Sequence, residues 1–219
     1  MNSTLIQLIV LAAIAIFLIL KLRSVLGTRE GYEKPPETPE ALPSRNVRDF
    51  EVIEGGKDHD IIGHVAEGSD AANALAAMKK AEAGFSVTEF LKGARGAYEW
   101  ILGAFDKGEI DQLRPFLGAD IAAAFASAID GRKAQGLTVD STFVGLREMA
   151  LQDARFDPAT KRGEITLRYV GEMTSVVRDA AGEIVEGNPK EIKRQRDVWT
   201  FSRVMGSADP NWQLVATGE

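Results

Sequence analysis

Tyr98, Tyr169 and Asp197 are the residues of this chain with the clearest capacity for chemistry. An aspartate set among tyrosine hydroxyls in apolar surroundings could remove a proton next to a carbonyl, while a tyrosine donates to the developing oxyanion. Asp197 would be the base and Tyr169 the donor. The competing reading is structural. Both tyrosines are then core residues with satisfied hydroxyls, and Asp197 sits at a pocket mouth beside a basic partner. The histidines are His59 and His64 alone, and cysteine is absent, so neither type stands anywhere after Gly84 to assist. The non-catalytic reading is adopted.

Two further groups have functional residue types. His59 and His64, with Asp58 and Asp60 beside them, are metal-ligand types. Their spacing does not place them on one helical face and glycines surround them, so no metal is expected. Arg168, Arg178, Arg194 and Arg196, with Lys190 and Lys193 nearby, fall on one face of predicted strands, and Glu164 and Glu172 are the expected counter-charges. The set reads either as a solvated sheet face or as a contact for acidic protein or anionic lipid headgroups.

Distinct elements must position these residues. Phe85-Ser86-Val87-Thr88-Glu89-Phe90 combines a capping box, Ser86 with Glu89, and a hydrophobic staple, Phe85 with Phe90. It predicts a helix running to about Lys107 and stopped by Gly108. Val87, Phe90, Leu91, Ala94, Ala97, Tyr98, Ile101, Leu102 and Phe105 form its core stripe. Gly93, Gly96 and Gly103 lie nearly opposite with Trp100, and each glycine costs about 1 kcal/mol against alanine. Close approach of a second element would explain them, which predicts a helix sandwiched on two sides with Trp100 covered. A short helix over 109–116 and another from Gly118 to about Gln135 follow. The stripe of the second is Ile121, Ala124, Phe125, Ala128 and Ile129.

After Gly136 the period becomes two. One strand or two is expected within 138–156. A long strand over 164–177 has Ile165, Leu167, Tyr169, Gly171 and Met173 on one face. Asp179 to Gly182 makes a turn. A returning strand over 192–203 has Asp197, Trp199 and Phe201 on one face, and Asp209-Pro210-Asn211 turns into a last strand from Trp212. Helices followed by an antiparallel meander imply an α+β fold with helices on one face of a curved sheet.

The remainder of the chain concerns place. Leu5 to Leu22 is an apolar stretch interrupted only by Gln7 and Lys21. As a helix it would rise about 27 Å at roughly 1.5 Å per residue, against a hydrocarbon core of about 30 Å. Its N-terminal flank has no charged side chain and no Ala-x-Ala pattern follows it, so a membrane anchor is expected rather than a signal peptide. Lys21, Arg23 and Arg29 place the C-terminal flank in the cytoplasm. Between Thr28 and Ser69 lie 5 basic and 10 acidic residues with four prolines, a composition expected to form an extended, mostly disordered linker. Its apolar islands, Phe50 to Ile53 and Ile61 to Val65, either dock on the domain or bind a partner. Asp70 to Ala83 reads as a lead-in helix with Asp70 as N-cap, exposed to solvent on a weak alanine-rich stripe. The expected divisions are therefore an anchor at 1–26, a linker at 27–69, a lead-in helix at 70–84 and a domain at 85–219. The chain has 219 residues, a net charge of −6 and no cysteine. The charge argues against nucleic acid, and the missing thiols exclude disulfides and thiol nucleophiles.

GAYEWILGAFDKGEIDQLRPFLGADIAAAF, DVWTF and the closing DPNWQLVATG resemble the Tim44-like domain, over about Phe85 to Glu219. The resemblance implies a cone-shaped α+β fold of the nuclear transport factor two-like kind, with a hydrophobic pocket between the long helix and the concave sheet. Phe90, Tyr98, Leu102, Tyr169, Asp197, Trp199 and Phe201 are the expected lining. It also implies an adaptor at a membrane: mitochondrial members hold a seventy-kilodalton heat-shock chaperone at the translocase and associate with cardiolipin-rich membrane. This chain lacks an Arg- and Ser-rich transit peptide and looks like the bacterial inner-membrane relatives. The expectation is thus a single-pass protein with an outside N-terminus and a cytoplasmic domain. It would bind a protein partner, with lipid as a second candidate, and need no cofactor.

Overall fold

The computed structural model describes residues 58–218. The expected anchor, the Phe50 to Ile53 island and most of the expected linker lie outside the described residues. Among the described residues no helix is long and apolar enough to cross a membrane.

The helical layer comprises α1 (His59–Ile62), α2 (Asp70–Ala81), α3 (Val87–Lys107), α4 (Ile110–Leu113), a 3-10 turn (Arg114–Phe116) and α5 (Ala119–Ala134). The sheet comprises β1 (Thr138–Asp157), β2 (Arg162–Arg178), β3 (Ile184–Gly187), β4 (Lys193–Val204) and β5 (Gln213–Gly218). Its order is β1-β2-β4-β5, with β3 pairing with the far end of β2, and every paired neighbour is antiparallel. The α+β architecture with helices on an antiparallel sheet is the expected one. The single 20-residue β1 takes three register shifts against β2, and such bulges bend a strand and add twist. β3, unforeseen from sequence, is a fully exposed four-residue strand.

The long helix forms as its capping signals predict. Ser86 accepts the Glu89 N–H at 3.3 Å, and Gly108 closes the other end at φ 74°, a left-handed conformation that favours glycine. Val87, Phe90, Leu91, Ala94, Tyr98 and Ile101 are buried. They face a sheet surface made by Ile165, Leu167, Tyr169, Trp199, Phe201 and Leu214, all buried. Gly171 lets this packing close, because a Cβ there would stand 2.9 Å from the Tyr98 hydroxyl.

Several expectations need correction. Residues 58–69 belong to the folded unit instead of the linker: Ile61 is buried and Val65 packs on the core. α2 is integral rather than a solvated lead-in, since Leu75 and Met78 are fully buried; two large apolar residues among alanines suffice when the alanines permit close packing. Ser69, not Asp70, caps it by accepting the Ala72 N–H at 3.2 Å. On α5, Ala124 and Ala128 are exposed, and the buried line runs instead through Ile121, Ala122, Phe125 and Ile129. Among the described residues no second element covers the glycine face of α3 to complete the expected sandwich. A Cβ at Gly93, Gly96 or Gly103 would meet nothing within 4 Å, and Trp100 is 39% exposed, touching Phe116 edge-on at 5.1 Å.

Asp60 ties the first three helices together. Its carboxylate accepts the Val87 and Thr88 N–H groups at 2.8 Å each and the Ser86 hydroxyl at 3.2 Å, and it pairs with Lys79 at 2.8 Å. An anion at the start of α3 also meets the positive end of the helix dipole. Burial works to raise the Asp60 pKa, but the bonds from Lys79, Thr88 and Val87 outweigh it and hold the group well below the usual carboxylate range.

Candidate functional site

The expected catalytic constellation assembles, but in the interior. Tyr98 donates to Asp197 Oδ2 at 2.6 Å, and the Gln195 amide donates to Oδ1 at 3.1 Å. The Tyr169 hydroxyl donates to the Ala94 carbonyl at 3.3 Å, and the two tyrosine rings stack 4.3 Å apart. Trp199 packs on Tyr98 at 4.8 Å. Register explains the grouping: Tyr169 pairs with Asp197 and Leu167 with Trp199 across β2 and β4, so one sheet face presents all of them to α3. Burial raises the pKa of both tyrosines far above the ordinary range, and for Tyr98 the Asp197 carboxylate adds to the rise. Tyr98 and Tyr169 have no exposure and Trp199 only 3%. The cluster is a satisfied buried network, with Tyr98 and Gln195 in the place of the expected basic neighbour of Asp197.

The expected pocket therefore divides. Tyr98, Tyr169, Asp197 and Trp199 fill the interior, while Phe90 and Phe201 form part of an open apolar groove beside α3. The groove consists of two adjoining depressions of about 410 Å³ and 300 Å³ that share Ala97, Phe116, Phe201 and Trp212. Phe85, Phe90, Gly93 and Ala94 extend it toward the start of α3, and Trp100 and Ile101 toward its middle. Trp212 is central, with ring centroids 4.7 Å from Phe90 and 5.9 Å from Phe85. At one end the Arg203 guanidinium lies 5.3 Å from the Trp212 ring and donates to Glu82 at 2.6 Å. Glu82 also accepts the Gly206 N–H at 2.7 Å. Burial pushes its pKa up, but these partners prevail and the net shift is downward. Leu102 lies apart, lining a depression of about 730 Å³ with Phe105, Met173, Lys193, Arg194 and Arg196.

Sequence reasoning missed Phe85, Ala97, Phe116, Arg203 and Trp212 as groove residues. Phe116 and Trp212 lie in the quoted motifs, so the signal was present in composition; their convergence depends on the 3-10 turn and the β4–β5 turn meeting beside α3.

The arginine face is partly neutralised. Arg168 forms a two-pronged pair with Glu148, and Arg147 and Arg194 share Glu172 at 2.9 and 3.2 Å. Arg178 donates to the Gly182 carbonyl at 3.0 Å. Glu148 thus takes the counter-charge role expected of Glu164, and Arg196 has no ion pair among the described residues. No group of three or more metal-ligand side chains occurs among the described residues.

The sequence profile of the Tim44-like domain matches residues 71–219. This chain belongs to the Tim44-like domain family. Mitochondrial import inner membrane translocase subunit TIM44 of Homo sapiens is 24% identical over 160 residues, covering 71% of this chain and 35% of that protein. The chain thus spans about a third of that relative's length. The crystal structure of the intermembrane space region of the chloroplast protein ARC6 superposes with a TM-score of 0.36 at 13% identity, over 57% of this chain and 94% of that one. That overlap is too loose to transfer function. The Tim44-like match begins at Ala71, inside α2, in keeping with the burial of that helix.

Proposed function

We propose that this Tim44-like protein is a non-enzymatic adaptor, held at the cytoplasmic face of a bacterial inner membrane by Leu5 to Leu22, whose groove beside α3 holds an apolar segment of a protein client. The groove is the observation that carries the reading: it is an open surface lined by Phe85, Phe90, Phe116, Phe201 and Trp212, on a domain whose acid–tyrosine cluster is buried. Aromatic side chains in a concave, mainly apolar site favour partner binding. The human relative's name connects it with import across a membrane, and by that likeness the client belongs to protein transport or to a chaperone system serving it. An acyl chain is the second occupant with matching chemistry. Proton transfer by Asp197 and Tyr169 loses support because no substrate atom can reach either group without unpacking the core.

A photoactivatable residue in place of Ala97 in the full chain, irradiated in native membranes, should capture a protein other than a second copy of this chain, identifiable by mass spectrometry. Capture of lipid with no protein would overturn the adaptor reading. Removing residues 1–26 should release the protein from the membrane fraction and abolish that capture.

A further inference from the structure

The outer face of α3 is largely uncovered among the described residues, and its residues are complementary from its two ends. Glu89, Gly93, Gly96, Trp100, Gly103 and Lys107 follow one another at intervals of alternately four and three residues, the spacing of a helix-pairing seam. All are exposed or half-exposed. Centred on Tyr98, Glu89 mirrors Lys107, Gly93 mirrors Gly103 and Gly96 mirrors Trp100. Two such helices laid antiparallel across a two-fold axis would place each Trp100 over the other copy's Gly96. Each Glu89 would then meet the other copy's Lys107, and bare backbone would face bare backbone at Gly93 and Gly103.

Among the described residues this face is only partly used: Trp100 meets Phe116 edge-on at 5.1 Å, and the three glycines stand open. A Cβ at any of the three glycines would enter open space, although each glycine weakens the helix by about 1 kcal/mol against alanine. Lys107 has no ion pair among the described residues, and Glu89 has a loose contact with Lys92 at 3.8 Å between largely exposed side chains. Charge complementarity between the two ends of one strip favours one occupant over others: a second copy of the same chain in isologous contact. We infer that α3 pairs antiparallel with α3 of a second copy, Trp100 seating on Gly96 and Glu89 pairing with Lys107. The contact is confined to five turns of one helix and falls in the small, transient class of interfaces. The seam shares Gly93 and Trp100 with the groove, so a paired copy and a groove client compete for α3. The disulfide trap reads pairing alone and the Ala97 capture reads the client, so failure of either reading is told apart from failure of the other.

The natural chain has no cysteine, which makes disulfide trapping clean. Glu89→Cys and Lys107→Cys chains, co-expressed at full length and oxidised in unfractionated cell membranes, should give a disulfide-linked dimer. Either chain alone should not, because positions 89 in an antiparallel pair are roughly 27 Å apart at about 1.5 Å per residue, beyond disulfide reach. Glu89→Lys alone should weaken self-association by roughly tenfold, and adding Lys107→Glu to the same chain should restore it. All these positions are solvent-facing, but Glu89 stands in the first turn of α3, so its variants should melt slightly lower; a single cooperative unfolding transition verifies folding. Cross-linking of each single variant with itself would mean a parallel or non-specific contact and overturn the inference, as would the absence of any dimer on co-expression of the two.

Discussion

The Tyr98 hydroxyl donates to the Asp197 carboxylate at 2.6 Å, between rings with essentially no exposure. A buried carboxylate without a cation depends on its hydrogen-bond donors, and removing one leaves an acceptor whose desolvation is no longer offset. Tyr98→Phe should lower unfolding free energy by about 2 kcal/mol, read as a fall in urea midpoint with unchanged slope. Asp197→Asn should also destabilise, and any functional loss should track the unfolded fraction. A fully stable Asp197→Asn protein that had lost function would restore the catalytic reading.

Asp60 joins α1 and α2 to the start of α3 through bonds to Val87, Thr88, Ser86 and Lys79. Its folded-state pKa is depressed, so its contribution is complete above the unfolded aspartate value of about 3.9. As pH falls below that value the unfolded chain takes up a proton that the folded one refuses, and stability declines. Asp60→Asn should lower stability at neutral pH by about 2 kcal/mol and give a shallower loss between roughly pH 4 and pH 2. Urea unfolding at stepped pH measures both. Parallel wild-type and variant curves would mean that the latch contributes nothing.

Local signals in this sequence were legible and distant convergences were not. Ser86, Glu89 and Gly108 defined α3 because capping chemistry acts within a few residues. The alternation through Ile165, Leu167 and Tyr169, matched by Asp197, Trp199 and Phe201, identified the inner sheet face because strand period is local too. The bond from Asp60 to Val87 spans 27 residues and connects what reads as linker to the domain, so no local pattern encodes it. The glycine row reads as close approach of a second element, yet a Cβ at any of the three meets open space among the described residues. The groove was misplaced because large aromatics facing a sheet fill their own cavity: the stacked tyrosines occupy the expected pocket and displace the opening toward Trp212.

That glycine row offers a test of the fold by itself. Gly93→Ala, Gly96→Ala and Gly103→Ala should each raise monomer stability by up to about 1 kcal/mol, nearly additively, since none of the new methyls meets another side chain. Gly171→Ala should do the opposite, because its Cβ would lie 2.9 Å from the Tyr98 hydroxyl and 3.2 Å from the ring. Thermal unfolding of the four variants at low protein concentration separates the two kinds of glycine. A destabilised Gly96→Ala chain under those conditions would show that α3 has a neighbour on its outer face within the monomer.

Trp212 decides whether the groove or the arginine face is the binding surface. Its ring stands between Phe90 at 4.7 Å and the Arg203 guanidinium at 5.3 Å, so Trp212→Ala removes one wall and the aromatic face that meets Arg203. The enhancement of anilinonaphthalene sulfonate fluorescence by the native protein should fall several-fold in Trp212→Ala and persist in Arg196→Ala, which leaves the groove intact. Destabilisation does not mimic this result, because a loosened core exposes apolar surface and raises the dye signal. A drop therefore reports loss of the site. Undiminished enhancement in Trp212→Ala together with loss in Arg196→Ala would move the binding surface to the outer sheet.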